Sequence, residues 1–192
     1  MPYLLAGLLI FLGVHSLRIV SEDSRTHLRA RFGEAAYKGV YTLASLIGFA
    51  LIVWGFGVAR ENPVQLWNPP EGMRHLAAGL TLVAFVLLTA AYVPRNGIKA
   101  RLHHPMVLGV KVWALAHLLA TGALAQALLF GSFLLWAVLC FRAARQRDRA
   151  AATVYAAGTL LSTGLTAVLG IAAWAVFAFF LHGWLIGIRP LG

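Results

Sequence analysis

The stretch Pro105–Phe141, PMVLGVKVWALAHLLATGALAQALLFGSFLLWAVLCF, decides how this chain folds. It is apolar almost throughout, and Lys111 is its one charged residue. As a single helix it would run about 55 Å, close to twice the ~30 Å thickness of a bilayer's hydrocarbon core. The only turn signal inside it is Thr121-Gly122. A break there leaves two helices, 105–120 and 124–141, each suited to one crossing. Pro105 is a natural first helical residue, because its missing N–H would have no intrahelical partner there.

Four further apolar runs flank this pair: 2–20, 40–59, 76–93 and 166–188. The fold class expected is all-α, a polytopic transmembrane bundle of about six spans in a single domain over residues 1–192. Composition agrees. Of the 192 residues 60% are hydrophobic and 11% charged, and the mean hydropathy is +0.79. Soluble domains carry about a quarter charged residues, and one core could not hide this much apolar surface, so the lipid bilayer is the expected partner. The first run has no basic leader and no small-residue cleavage pattern, so it reads as a retained span rather than a signal peptide. The small, mildly apolar residues 150–164 read as a helical lead-in to the last span.

The net charge of +10 would suggest nucleic acid in a soluble protein. Here topology explains it, and no nucleic-acid partner is expected. Twelve of the sixteen Lys and Arg residues fall in the loops after spans one, three and five. Arg60, Arg74 and Arg189 lie on the other side. Positive loops stay in the cytoplasm, so both termini are expected on the outer side, which is the periplasmic side if the membrane is a bacterial inner membrane. Trp54, Trp67 and Trp184 then fall at the outer interface, where aromatic belts form. Between spans one and two, HLRARFGEAAYKG (27–39) spaces Leu28, Phe32, Ala35 and Ala36 as an interfacial helix would; a solvated loop is the alternative. Gly131, Gly164 and Gly170 would allow close helix contacts.

All six acidic residues lie in loops or at interfaces, which argues against paired-carboxylate catalysis or a carboxylate proton relay inside the membrane. The lone Cys140 excludes an intrachain disulfide and any multi-cysteine metal site. What remains inside the spans is His15, Lys111, His117 and His182. Lys111 can snorkel to the nearer interface. His75, His103 and His104 stand at span edges, where headgroup or water contacts would occupy them. For the three interior histidines there are two readings. One is a neutral imidazole hydrogen-bonded to a neighbouring helix. The other is a ligand for iron, copper or zinc, including a haem clamped between helices. Trp113, one turn before His117, could wall such a group, and Arg18 could meet a haem propionate. Helix rise puts His15 about 8 Å from the cytoplasmic edge of its span and His117 about 18–22 Å, with His182 about 20 Å up. On depth alone His182 matches His117 better than His15 does.

Several stretches in order, LGVHSLRIV, GEAAYKGVYTLASLIGFALIVWGFG, LWNPP, RHLA, AAYVPRNGIKARLHHPMVLGVKVWALAHLLATG and LHGWLIGIRPL, resemble the NnrU family of bacterial membrane proteins. The resemblance implies a bacterial inner membrane and a role in denitrification, alongside the membrane nitrite and nitric oxide reductase machinery. The family is similar in turn to plastid zeta-carotene isomerase, which holds a b-type haem. Its proposed axial histidines correspond to His15 in VHS and His117 in ALAH. The resemblance thus implies a haem b on His15 and His117, with His182 as the alternative ligand. The isomerase has a cysteine three residues before its second histidine, and here that position is Ala114. A haem-dependent isomerase of carotenoid-like polyenes is one rival reading, and Ala114 counts against it. A cofactor-free assembly or interaction protein is the other.

Overall fold

The computed structural model describes residues 1–191. Backbone groups in hydrocarbon have no water to bond, so each apolar run closes its own hydrogen bonds as a helix. In chain order the helices are α1 (Pro2–Val20), α2 (Glu22–Phe32), α3 (Glu34–Glu61), α4 (Met73–Tyr92), α5 (Gly97–Leu102), α6 (Pro105–Ala120), α7 (Leu124–Ala150) and α8 (Leu160–Val176). One π turn, Phe177–Leu181, joins α8 to α9 (His182–Ile186). Among the described residues there is no strand, only two isolated bridges. Five runs are long and apolar enough to cross a membrane: α1, α3, α4, α7 and Leu160–Ile186. The sixth apolar helix, α6, has 16 residues. The protein is an all-helical chain of the multi-pass membrane type.

The long helices pack in the order α3, α1, α7, α6, α4, α8. Their connections sort to two ends. At one end lie α2, α5 and the segment 151–159, where Thr159 N donates to Arg95 O and the Arg147 guanidinium donates to Arg18 O. At the other lie residues 62–72, the α6–α7 turn, the start of α1 and the end of α9. There Tyr3 stacks on Trp54, and Arg60 donates to Ile186 O. The twelve loop cations expected on one side are all at or near the first end.

Glycine makes the tightest interface, between α1 and α3. A Cβ on Gly7 would stand 2.6 Å from Ile52 N, and one on Gly48 would stand 2.8 Å from Phe11 N. A Cβ on Gly55 would overlap the Leu4 backbone. Leu4, Leu8 and Ile52 fill the seam beside them, and the same cluster extends to Ala114 on α6 and Phe130 on α7. Of the glycines expected to let helices close, Gly170 does so against Val86. Gly131 and Gly164 instead have no heavy atom within 4 Å of a Cβ.

Both ends are pinned by backbone pairing. Gly122 O accepts from Leu66 N (2.8 Å) and Trp67 N (3.2 Å), while Leu124 N donates to Val64 O (2.8 Å). At the opposite end Asn96, 1% exposed, bonds two helices at once. Its amide donates to Ala90 O and Val93 O at the close of α4, and its Oδ1 caps Lys99 N in the first turn of α5.

Some expectations need correction. The break at Thr121-Gly122 falls where expected. Residues 151–159 are not a helical lead-in: a turn at 151–152 and an irregular stretch run to Thr159, which pairs with the α4–α5 turn, and only 160–165 lead helically into the last span. The expected interfacial helix is cut at Gly33, whose φ of 81° ends α2, so Ala35 and Ala36 belong to α3. Helix α3 begins six residues before the apolar run, and α7 continues past Phe141 to Ala150. These extensions carry charge beyond the apolar segments.

Gly55→Val should destabilise the protein by about 1–3 kcal/mol through overpacking of α1. Gly57→Val, on the same helix but facing open space, should not. Thermal unfolding in detergent, compared with wild type, measures both; equal melting of the two variants would contradict the packing.

Candidate functional site

The three histidines inside the apolar stretches share one hydrogen-bonding pattern. His15 Nδ1 lies 2.6 Å from Phe11 O, and His117 Nδ1 lies 2.9 Å from Trp113 O, each one helical turn back. His182 Nδ1 lies 2.6 Å from Ile188 O. A carbonyl only accepts, so Nδ1 carries the proton in each ring and Nε2 keeps its lone pair. This is the arrangement in which a second-shell carbonyl readies a histidine for a metal.

Their surroundings differ. His15 stacks on Phe11 at 4.2 Å between centroids, with Tyr41 at 5.2 Å and Trp136 edge-on at 6.2 Å. The Trp136 indole N–H is buried and has no acceptor among the described residues. His117 stacks on Phe130 at 4.4 Å, with Trp113 at 5.2 Å. His182 follows the π turn and sets its ring edge-on to Phe177 at 5.9 Å. Phe11, Phe133 and Trp113 form a run of ring contacts linking the His15 side of the bundle to His117. Among the described residues no three His, Cys, Asp or Glu side chains gather into a metal-binding group.

A cavity of about 860 Å³ opens at the arginine-rich end, between α1, α2, α3, the start of α6 and the extension of α7. His15 and Arg18 line it; His117, Trp113 and His182 do not. Around its mouth, Glu22 pairs with Arg18 (3.2 Å) and Arg25 (2.5 Å), and Glu34 pairs with Lys38 (2.7 Å) and Arg29 (3.3 Å). Burial would raise the Glu22 carboxyl, but Arg18 and Arg25 outweigh it and hold the group below its ordinary range.

Beside the cavity stands a polar cluster that no local motif announces. His104 Nε2 (2.8 Å) and the Tyr155 hydroxyl (3.0 Å) both donate to Asp148 Oδ2. Arg145 bonds His103 Nδ1, and the His103 ring stacks on Tyr155 at 4.2 Å. His103 and His104, expected to meet headgroups or water, are instead committed to these partners. The fold makes this possible through positive φ at His103 (70°) and through Pro105, which starts α6 two residues later. The one hint in the sequence is Asp148, a single acid among Arg142, Arg145, Arg147 and Arg149.

The residues expected at the site thus fall into two groups. His15 and Arg18 are together at the cavity. Trp113 and His117 are one turn apart on α6, with His182 on their side of the bundle. Tyr41, Trp136 and Phe130 complete these surroundings and went unremarked in the sequence, because an aromatic residue in a span reads equally as lipid-facing.

Fold and site together define a multi-pass helical membrane protein whose ionisable side chains within the bilayer are mainly histidines. The family model described as NnrU protein matches residues 3–190, nearly the whole chain. The chain belongs to the NnrU family. Comparisons with curated proteins and with solved structures gave no match.

Burial, and then the Asp148 carboxylate beside it, push the Tyr155 phenol above its ordinary value. Asp148→Asn removes the negative charge that favours the neutral phenol. Its tyrosinate step should therefore move to lower pH than in wild type, and Tyr155→Phe should abolish that step. An ultraviolet pH titration reads both; an unmoved step would break the assignment.

Proposed function

We propose that this chain binds a b-type haem through its intramembrane histidines and supports denitrification, the reduction of nitrite and nitric oxide. It does so in a bacterial inner membrane, with its arginine-rich end in the cytoplasm. The observation that carries the haem reading is the shared state of His15, His117 and His182, with Nδ1 bonded to a carbonyl and Nε2 uncommitted. The unpartnered Trp136 N–H beside His15 adds support, as a buried donor ordinarily finds an acceptor. A bound haem would supply nitric oxide binding or one-electron exchange at its iron. His117 is common to both candidate pairings. The family resemblance pairs it with His15, and depth along the helices pairs it with His182. Trp113 walls the His117 side, and Arg18, one turn beyond His15, suits a propionate.

Ala114 counts against isomerase chemistry by ligand exchange. Its side chain is a methyl group with no sulfur, so no thiolate can reach iron from that position. The separate surroundings of His15 and His117 favour one rival, a cofactor-free assembly or interaction protein for membrane reductases.

Absorption spectra of detergent-purified protein, oxidised and reduced, distinguish the two. Wild type from haem-sufficient cells should carry a Soret band, and His117→Ala should lose it. A change in His15→Ala or in His182→Ala names the second ligand. A colourless wild type, or one band common to all variants, would overturn the assignment.

A further inference from the structure

The cavity at the arginine-rich end has two tiers, built from helical stripes. On α7, Cys140 and Ala144 lie one turn apart, and Arg147 continues the same stripe outward. On α1, Val14 and His15 precede Arg18; on α3, Tyr41 precedes Lys38 towards the same mouth. The inner tier is therefore apolar and aromatic, and the outer tier is charged. Five cations line it: Arg18, Arg25, Arg29, Lys38 and Arg147. Glu22 and Glu34 neutralise part of that charge. Asp148, the third carboxylate on the wall, is already taken by His104 and Tyr155. Arg147 has no carboxylate partner among the described residues; its guanidinium donates to the Arg18 carbonyl. Positive charge thus remains uncompensated directly above an apolar floor.

We infer that this cavity binds an acidic amphiphile from the bilayer: an anionic phosphate head held by Arg147 and its neighbouring cations, with an acyl body along the Val14–Cys140 tier. A simple basic surface would attract anionic lipid diffusely, at about 1 kcal/mol per cation. A walled cavity of about 860 Å³ binds it one to one. The inference does not depend on the haem reading, because it needs neither iron nor a free imidazole.

Native mass spectrometry of the full chain in detergent tests it, with short-chain phosphatidylglycerol, short-chain phosphatidylcholine and inorganic phosphate as separate probes. One phosphatidylglycerol should be retained per chain, and phosphatidylcholine should not. Arg147→Gln should weaken retention about fivefold, the loss of one interfacial cation. Arg142→Gln removes an exposed cation outside the cavity and should leave retention unchanged. Equal losses in both variants would reduce the effect to diffuse surface charge and overturn the site. Equal competition by inorganic phosphate would overturn the amphiphile in favour of a free anion. The same spectra register any haem adduct, so a missing haem leaves the lipid result readable. Lipid and haem adducts that never coincide would make haem the occupant and overturn the lipid assignment. Retention in His15→Ala would confirm that the iron ligand is not needed.

Discussion

A polypeptide inside hydrocarbon must satisfy every backbone N–H and C=O from within, and the design of this protein follows from that demand. Helix α6 has 16 residues, so its end and the turn beyond it have little length to spare in reaching water. The Gly122 carbonyl answers by taking two N–H groups from the 62–72 connection, and Leu124 returns a bond to Val64. Only glycine fits there, because a Cβ would overlap the Trp67 carbonyl. At the other end one buried side chain, Asn96, closes α4 and opens α5. The helices are set by hydrophobic length; their relative placement is set by these few polar clasps.

Within that frame the ionisable chemistry divides. Carboxylates stay at the arginine-rich end or in the opposite loops, and each carboxylate bordering the cavity has an ionic or hydrogen-bonded partner. The histidines of the apolar stretches have only carbonyls to bond. A carbonyl cannot donate a proton, so it fixes the tautomer and leaves Nε2 without a bonded partner. An isolated neutral imidazole is cheap to bury compared with a charge, which makes it a metal-capable group that a lipid-embedded helix can carry without a counter-ion.

How far this was legible depends on the range of each signal. The spans follow from run length, and the Thr121-Gly122 break follows from a local turn signal, so both could be read directly. Trp54 and Trp67 lie at one end of the bundle, where Trp54 stacks on Tyr3 and Trp67 N donates to Gly122 O. The α1–α3 seam was not legible. Gly7, Gly48 and Gly55 are packed while Gly13 and Gly57 are open, and nothing in their neighbouring letters separates the two sets. The Asp148 cluster was hidden for another reason: His104 lies 44 residues away in sequence. Segment 151–159 misled through composition, since small apolar residues read as weak helix, while the Arg95–Asn96 turn that pairs with Thr159 is distant in sequence. His15, His117 and His182 stood out as residues, but their neighbours did not.

The six long elements form a chain of neighbours that does not close on itself. Among the described residues α3 and α8 share no packed face, and the last turn of the protein reaches α3 through the Arg60 guanidinium and the Ile186 carbonyl. A zipper with one tooth engaged yields differently from a seam. Parting the two terminal helices breaks a single polar contact and uncovers no interlocked core, whereas parting any other neighbouring pair means pulling apart interdigitated side chains. The bundle therefore has one built-in direction of sideways give, between the two helices at the ends of the row.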